Sequence, residues 1–340
     1  MKIKIGIAGF GKIGKIRADE ISKSIDATLV SVFDTNEKAL EGYGNFNIIF
    51  CKTFDDLLKS DIDAVFICAF NNVLSSYTSR ALKAGKHVFC EKPPARTTKE
   101  LESVIEIEKK SNLILKYGFN HRYHYSIQEA KKIIDSGTMG KLLWLRGVYG
   151  KAGSIDYDKN WRNYKQYSGG GILIDQGIHM LDLMRYFSKE TFNHVNSFVT
   201  TSYWDIKSED NAFAIMQSDN KVTAMLHSSA TQWKHKFLLE MCFEEGYVNL
   251  DGILSRTRSY SPEKLVVGRR EFEDITFAMG KPKENTTWFE NDDSWRLEVK
   301  EFINAILGKG EIKHGTSKDA YETLKLVEKI YENSGFYNDK

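Results

Sequence analysis

Residues 9–14 read GFGKIG, a Gly-x-Gly-x-x-Gly run. It closes a β-like segment at 2–8 (KIKIGIA) and opens a stretch, 12–24, in which Ile13, Ile16 and Ile21 follow helical spacing toward Ile25. The chain has 25 glycines, so the pattern alone is weak and its context carries the argument. Gly9 permits a tight turn, Gly11 lets backbone approach a pyrophosphate, and Gly14 lets helix and strand pack closely. The helix N-terminus adds unbonded N–H groups and a partial positive charge. The next strand-like run, TLVSVF at 28–33, ends at Asp34, 20 residues after Gly14. An acidic residue at that distance suits the adenosine ribose hydroxyls. No arginine follows in Asp34-Thr35-Asn36 to receive a 2′-phosphate, and a carboxylate repels one. The expectation is a dinucleotide site that favours NAD over NADP. The competing reading is an ordinary strand–helix turn.

Strand and helix signals keep alternating beyond this turn. Residues 62–68 (IDAVFIC) form a nearly continuous apolar run, as for a strand covered on both faces. A helix over 73–84 stops at Gly85, and strand 86–90, helix 97–111 and strand 113–117 follow. This order predicts βαβ units and a parallel, doubly wound α/β sheet. The rhythm then changes. A helix near 123–135 ends at Gly137, and strand 141–149, a polar aromatic loop over 150–168 and a helix over about 172–187 come next. Between 193 and 277 strand-like runs succeed one another at 195–203, 211–217, 221–229, 237–243, 246–250 and 264–267, with turns at Asp219-Asn220 and Gly246. Helices near 292–307 and 316–333 close the sequence. The prediction is an α/β domain over 1–118 and an α+β domain with a mainly antiparallel sheet over 119–340, the last helix being free to pack on either. A chain of 340 residues suits two cores.

Composition excludes little but narrows the partners. Net charge is +2, which points neither to nucleic acid nor to a membrane surface. No apolar run reaches the roughly 18 residues of a membrane span. The start, MKIKIGIAGF, is too short and too β-like for a signal peptide, so a cytoplasmic setting is expected. The four cysteines, Cys51, Cys68, Cys90 and Cys242, lack ligand spacing and read as free thiols, with no metal site expected.

Residues 84–94 read AGKHVFCEKPP, which puts Glu91 and Lys92 at the carboxyl end of a strand, where open α/β sheets bind ligands. Taken with GFGKIG and with GGGILIDQGIH at 169–179, in this order, the sequence resembles the glucose–fructose oxidoreductase, inositol dehydrogenase and rhizopine-catabolism family of NAD(P)-dependent oxidoreductases. The resemblance runs from about residue 3 to 190. It implies a Rossmann domain followed by an open-faced α+β domain. It further implies that Lys92 contacts substrate and nicotinamide ribose, and that Asp175 and His179 are the acidic and basic members of an Asp-x-x-x-His motif. Asn120 and Arg122, in GFNHRY, fall at the family's cleft positions, and Trp161-Arg162 resembles a loop approaching cofactor and substrate. The cofactor set so implied comprises Gly9, Phe10, Gly11, Lys12, Ile13, Gly14, Asp34, Ala69, Phe70, Asn71, Asn72, Glu91, Lys92, Asn120, Trp161 and Arg162. The substrate set comprises Lys92, Arg122, Arg162, Asp175 and His179. The chain departs from the family at 65–74 (VFICAFNNVL): Ala69 and Phe70 replace Thr-Pro, and Leu74 replaces a histidine, so a threonine hydroxyl contact is lost.

The chemistry is consistent with those positions. Oxidising a secondary alcohol needs a hydride acceptor and a base with a pKa near the working pH, which histidine meets. Asp175 and His179, four apart, would share one face of the expected helix. Lys92 would stabilise a developing alkoxide, or act as base if desolvated. Blander roles compete: His179 as a partly buried histidine, Asp182 as a packing or hydrogen-bonding residue, His121 and His124 as surface or supporting groups. Tyr157–Tyr167, interleaved with Lys159, Arg162 and Lys165, could be core or could hold a sugar. Arg146, Arg162, Lys165 and Arg185 are candidates for an anionic substrate, and the stretch TQWKHK at 231–236 is left between a cleft and an oligomer face. The expected reaction is NAD-dependent hydride transfer at a carbinol carbon of a sugar, cyclitol or nucleotide-sugar derivative. The alternatives are a non-catalytic NAD-sensing regulator and a redox-neutral enzyme with tightly held NAD. An open sheet face predicts a homodimer or homotetramer.

Overall fold

The computed structural model describes residues 2–43, 47–274, 279–280 and 282–337. The sequence window ending at 277 therefore closes outside the described residues. The chain divides into two compact units, one of 1–120, 166–169 and 293–324, the other of 121–165, 170–292 and 325–340.

The first unit is a six-stranded parallel sheet. It is built from β1 (Ile3–Ala8), α1 (Lys12–Ser22), β2 (Ala27–Phe33), β3 (Ile49–Cys51), α2 (Phe54–Lys59), β4 (Ala64–Ile67), α3 (Asn71–Lys83), β5 (His87–Glu91), α4 (Thr98–Glu108) and β6 (Leu115–Gly118). Strand order is β3-β2-β1-β4-β5-β6, and every neighbouring pair is parallel. The order reverses between β1 and β4, and the carboxyl ends of these strands flank the crevice in which such sheets bind ligands. β4 is buried at all four residues, as its apolar run requires. β3 and α2 had no counterpart in the sequence reading. Their signal is the capping box of α2: Asp56 N donates to Thr53 Oγ1 at 3.1 Å and Thr53 N donates to Asp56 Oδ2 at 3.1 Å.

The first unit also recruits a distant segment. α8 (Ser294–Ile306) lies in the boundary set 293–324 and contributes Val299, Phe302 and Ile303 to the core of Ile5, Ile7, Phe66 and Phe89. Phe66 and Phe89 stack at 4.6 Å, and Phe302 meets both edge-on at 5.4 and 5.7 Å. Sequence order had grouped this segment with the second half of the chain. Burial of its apolar stripe places it with the first.

The second unit contains α5 (Tyr125–Asp135), β7 (Leu142–Gly150), α7 (Ile178–Ser188), β8 (Phe192–Thr200), β9 (Asn211–Ser218), β10 (Thr223–Ser229), β11 (Lys236–Phe243), β12 (Gly246–Asp251), β13 (Glu263–Arg269) and β16 (Glu284–Phe289). The short α6 (Lys165–Ser168) precedes α7, a small ribbon of β14 (Phe272–Asp274) and β15 (Met279–Gly280) precedes β16, and α9 (Ser317–Ser334) ends the chain's regular structure. The sheet runs β16-β13-β12-β11-β7-β10-β9-β8. Only the β7–β10 pair is parallel, since α7 and a meander separate these strands in sequence. One face is core, with Leu145, Leu226, Leu239, Met241 and Val248 all at most 1 % exposed. Residues in register on the other face include Phe213, Ile215, Met225 and Trp144, which stay 41–52 % exposed. The architecture is thus a Rossmann-like parallel sheet and a mainly antiparallel, open-faced one. Among the described residues no helix is long and apolar enough to cross a membrane.

Phe302→Ala should destabilise the first unit by about 3–5 kcal/mol, the usual range for a fully buried phenylalanine. Urea unfolding followed by tryptophan fluorescence would measure it, and a loss below about 1 kcal/mol would detach α8 from this core.

Candidate functional site

The glycine loop is built for close approach. Gly9 has φ +88°, and a Cβ there would lie 2.5 Å from the Cys68 carbonyl oxygen. A Cβ on Gly14 would meet the Gly9 carbonyl oxygen at 2.1 Å, so helix and turn can close only on glycine. At Gly11 nothing lies within 4 Å of the position a Cβ would take. Gly11 is the N-cap of α1, has no side-chain cap, and is followed by no acidic residue in the first turn. Open space beside an uncapped helix start fits a pyrophosphate, so these residues suit a dinucleotide.

The side chains around the loop divide their roles. Lys12 is exposed and Ile13 partly so, whereas Phe10 is buried edge-on against Tyr43 at 4.9 Å. Phe10 therefore offers a ligand only its backbone. Asp34 accepts from Phe10 N at 2.5 Å through Oδ2 and from Asn36 N at 2.8 Å through Oδ1. The carboxylate tethers the loop to the end of β2 and keeps lone pairs for further donors. Beyond β4, Ala69 is partly exposed and Phe70 half-exposed at the N-cap of α3. Asn71 is buried and its Nδ2 donates to Ser168 O at 2.9 Å, which commits that side chain to the protein; Asn72 is partly exposed. Leu74, at the family's histidine position, is fully buried core.

At the end of β5 the two adjacent charges part company. Glu91 turns inward, where Arg17 Nε donates to Oε1 at 2.6 Å. The sequence expectation that Glu91 faces the crevice is thereby corrected: a fully buried guanidinium needs this anion. Lys92, partly exposed, follows at the strand's carboxyl end, joined to Pro93 by a cis peptide bond. Asn120 is buried and its Nδ2 donates to Ser294 Oγ at 3.3 Å.

The second unit gathers the remaining candidates. The expected helix over 172–187 begins as a π-helical turn, Leu173–Gly177, with Ile178 N donating to Leu173 O five residues back. Asp175 sits on this turn and His179 on the first turn of α7. The Asp175 carboxylate is held by Lys151 Nζ at 2.9 Å and by Arg162 Nε at 3.2 Å. Arg162 lies 4.5 Å from the Trp161 ring. His179 is 5 % exposed and its ring stacks on His121 at 3.8 Å and 17°. His121 Nε2 pairs with Tyr149 Oη at 3.0 Å. His121 and His124 are thus buried, not surface, residues. His124 pairs with Glu263 at 3.0 Å.

Two further corrections concern arginines. Arg122, expected at the substrate, is 3 % exposed and grips Asp182 with Nε and Nη2 at 2.8 and 2.6 Å, its guanidinium 4.7 Å from the Tyr186 ring. Burial and bidentate pairing make it a clamp between the 120–123 turn and α7. Arg146 pairs with Glu240 on the open sheet face at 2.6 Å. The aromatic loop is mixed: Tyr157 is buried core with Ile172 and Ala230, while Tyr164 and Tyr167 are 45 % and 39 % exposed.

Sequence reasoning missed the group that fixes the π turn. Glu209, fully buried, accepts from Gly171 N at 2.8 Å, Leu173 N at 3.0 Å and the hydroxyls of Tyr331 and Tyr337, both at 2.7 Å. Burial raises its pKa against those bonds. No local pattern marks Glu209 as special. Tyr149 could have been found, because it occupies an inward position of an alternating strand.

The oxidoreductase family with an NAD-binding Rossmann fold matches residues 3–119, and the GFO/IDH/MocA C-terminal domain matches 127–249. The chain belongs to the GFO/IDH/MocA oxidoreductase family. Myo-inositol 2-dehydrogenase of Thermotoga maritima is 32 % identical over 197 residues, which cover 57 % of each protein. D-glucoside 3-dehydrogenase of Escherichia coli is 31 % identical over 193 residues, 54 % of this chain and 53 % of that one. The chain thus matches little more than half the length of these relatives. A solved levoglucosan dehydrogenase in complex with NADH and levoglucosan shares the fold, with TM-score 0.84 at 22 % identity, covering 98 % of both chains.

Arg122→Ala should cost about 3–5 kcal/mol of stability, because it strands the buried Asp182 carboxylate. Chemical denaturation checks this; full stability with a raised KM would instead return Arg122 to the substrate.

Proposed function

We propose that the protein is a nicotinamide-dependent dehydrogenase that acts on a carbinol carbon of a sugar or cyclitol. The observation that carries the reading is the local arrangement in the second unit: a shielded imidazole, His179, on the same turn sequence as a carboxylate, Asp175, that two cations hold in place. The activities that name the relatives, on myo-inositol and a D-glucoside, supply the substrate class.

A bound nicotinamide dinucleotide supplies the acceptor for the carbinol hydrogen. The backbone of 9–14 and the α1 N-terminus would hold its pyrophosphate, and Asp34 the adenosine ribose, which favours NAD over NADP. His179 takes the hydroxyl proton, its ring held flat against His121. Asp175, anchored by Lys151 and Arg162, accepts a substrate hydroxyl and fixes which carbon is presented. Lys92 supplies positive charge to the developing alkoxide. Arg162, paired with Asp175 at 3.2 Å, completes the substrate set. The working assembly is a homodimer or homotetramer joined through the open sheet face, whose exposed apolar residues need cover.

His179→Ala should lower kcat by about 10²–10⁴-fold with folding intact. Steady-state assay with a polyol panel, following the nicotinamide absorbance, measures it, and undiminished turnover would exclude His179 as the base. Asp34→Ala should cut the NAD-over-NADP ratio of kcat/KM by about tenfold or more, because the carboxylate that repels a 2′-phosphate is gone. An unchanged ratio would remove Asp34 from cofactor choice. Sedimentation velocity at micromolar concentration should give a dimer or tetramer; a monomer would leave the sheet face without the proposed role.

A further inference from the structure

The stretch TQWKHK at 231–236 belongs to none of the roles above, yet it borders a cavity of about 390 Å³ lying wholly in the second unit. Its walls include Lys234, His235, Lys236, Phe237, Tyr260 and Asp251. Phe237 and Tyr260 are buried, and the His235 ring meets Tyr260 edge-on at 4.8 Å. The lysines stand at the rim. Among the described residues neither Lys234 nor Lys236 has a carboxylate within ion-pair distance, and both are exposed. The one acid in the wall, Asp251, is already neutralised by Lys264 at 2.9 Å. The cavity therefore presents two uncompensated ammonium groups above an apolar floor. Burial lowers the pKa of His235, and the nearby Lys151 ammonium lowers it further.

The cavity adjoins the proposed site of chemistry through shared walls. Tyr260 Oη bonds Gln176 Oε1 at 3.1 Å, one residue from Asp175. The Tyr260 ring lies 5.4 Å from Tyr149, which pairs with His121 against His179. A ligand held at Asp175 and His179 could extend past Tyr260 into this space. Small-molecule pockets span about 300–1,000 Å³, so the volume suits a substituent or a sugar-sized group, not a macromolecule. Ammonium groups beside apolar walls bind anions with charge-assisted hydrogen bonds roughly twice as strong as neutral ones.

We propose that this cavity receives an anionic group carried by the substrate, so that the natural substrate is a carboxylated or phosphorylated sugar derivative and not a neutral polyol. The inference rests on Asp175 and His179 forming the site of chemistry.

The test is binding to the full chain saturated with NADH. Isothermal titration compares glucuronate, glucose 6-phosphate and UDP-glucose with glucose and myo-inositol. At least one anionic probe should bind ten times or more tighter than the neutral ones, and that preference should weaken as salt rises. The strongest of the three identifies the group as a carboxylate, a phosphomonoester or a nucleoside diphosphate. The Lys234→Ala/Lys236→Ala double variant should lose tenfold or more of the preference while NADH affinity and far-UV circular dichroism stay unchanged. Equal binding of charged and neutral probes overturns the proposal, as does a preference that the double variant retains. The readout does not need turnover. Anion preference without oxidation of any polyol would sink the dehydrogenase reading and leave the pocket assigned. Oxidation of neutral polyols without anion preference would do the opposite.

Discussion

The first unit is organised around one buried guanidinium. Arg17, on the helix that follows the glycine loop, is fully inaccessible. It pairs with Glu91 at 2.6 Å and with Glu298 at 2.7 Å, and its plane lies between Phe89 at 4.3 Å and Trp295 at 4.4 Å. Three separate stretches meet on this group: the helix that follows the glycine turn, the strand end that presents Lys92, and α8 from near the end of the chain. Burial opposes its charge, but the two carboxylates hold it protonated. Glu298 bears the opposite cost: burial pushes its carboxyl up to about 7 even though Arg17 and Lys116 stabilise the anion. A buried pair of this kind adds little net stability, whereas loss of one partner is expensive. Its effect is to make the relative placement of glycine loop and Lys92 all-or-none.

Glu209 plays the same part in the second unit. Its four bonds fix the backbone of Gly171 and Leu173, and hence the turn bearing Asp175. The Leu173–Gly177 turn is π-helical, a form found most often at functional positions. Both units thus tie the backbone that carries their candidate groups to one buried charged side chain, Arg17 in the first and Glu209 in the second.

Much of this was legible in the residues. The GFGKIG turn, the alternation of strand and helix, and the stops at Gly85 and Gly137 follow from local conformational preference and hydrophobic period, which are properties of short segments. So did the placing of Asp34 and Lys92 at the carboxyl ends of strands. The inward turn of Glu91, the clamp of Arg122 on Asp182 and the stack of His121 on His179 were not legible. Each depends on a partner far away in sequence, 74 residues for Glu91, 60 for Arg122 and 58 for His121. Short β3 and α2 escaped notice because three- and six-residue elements carry too few positions for a period to show.

The sequence by itself determined the glycine turn and the two fold classes, because backbone preference and side-chain period act within a few residues, while the candidate acid–base residues were named by the resemblance to a family. Tertiary structure decided which charged side chains are exposed to a ligand and which are spent inside. That division is set by desolvation: a charge removed from water must find its counter-charge in the fold, and only folding together of distant segments supplies it. Arg17 and Arg122 found such partners, and Glu209 found four neutral hydrogen-bond donors instead. Lys234 and Lys236, left at a cavity rim, did not.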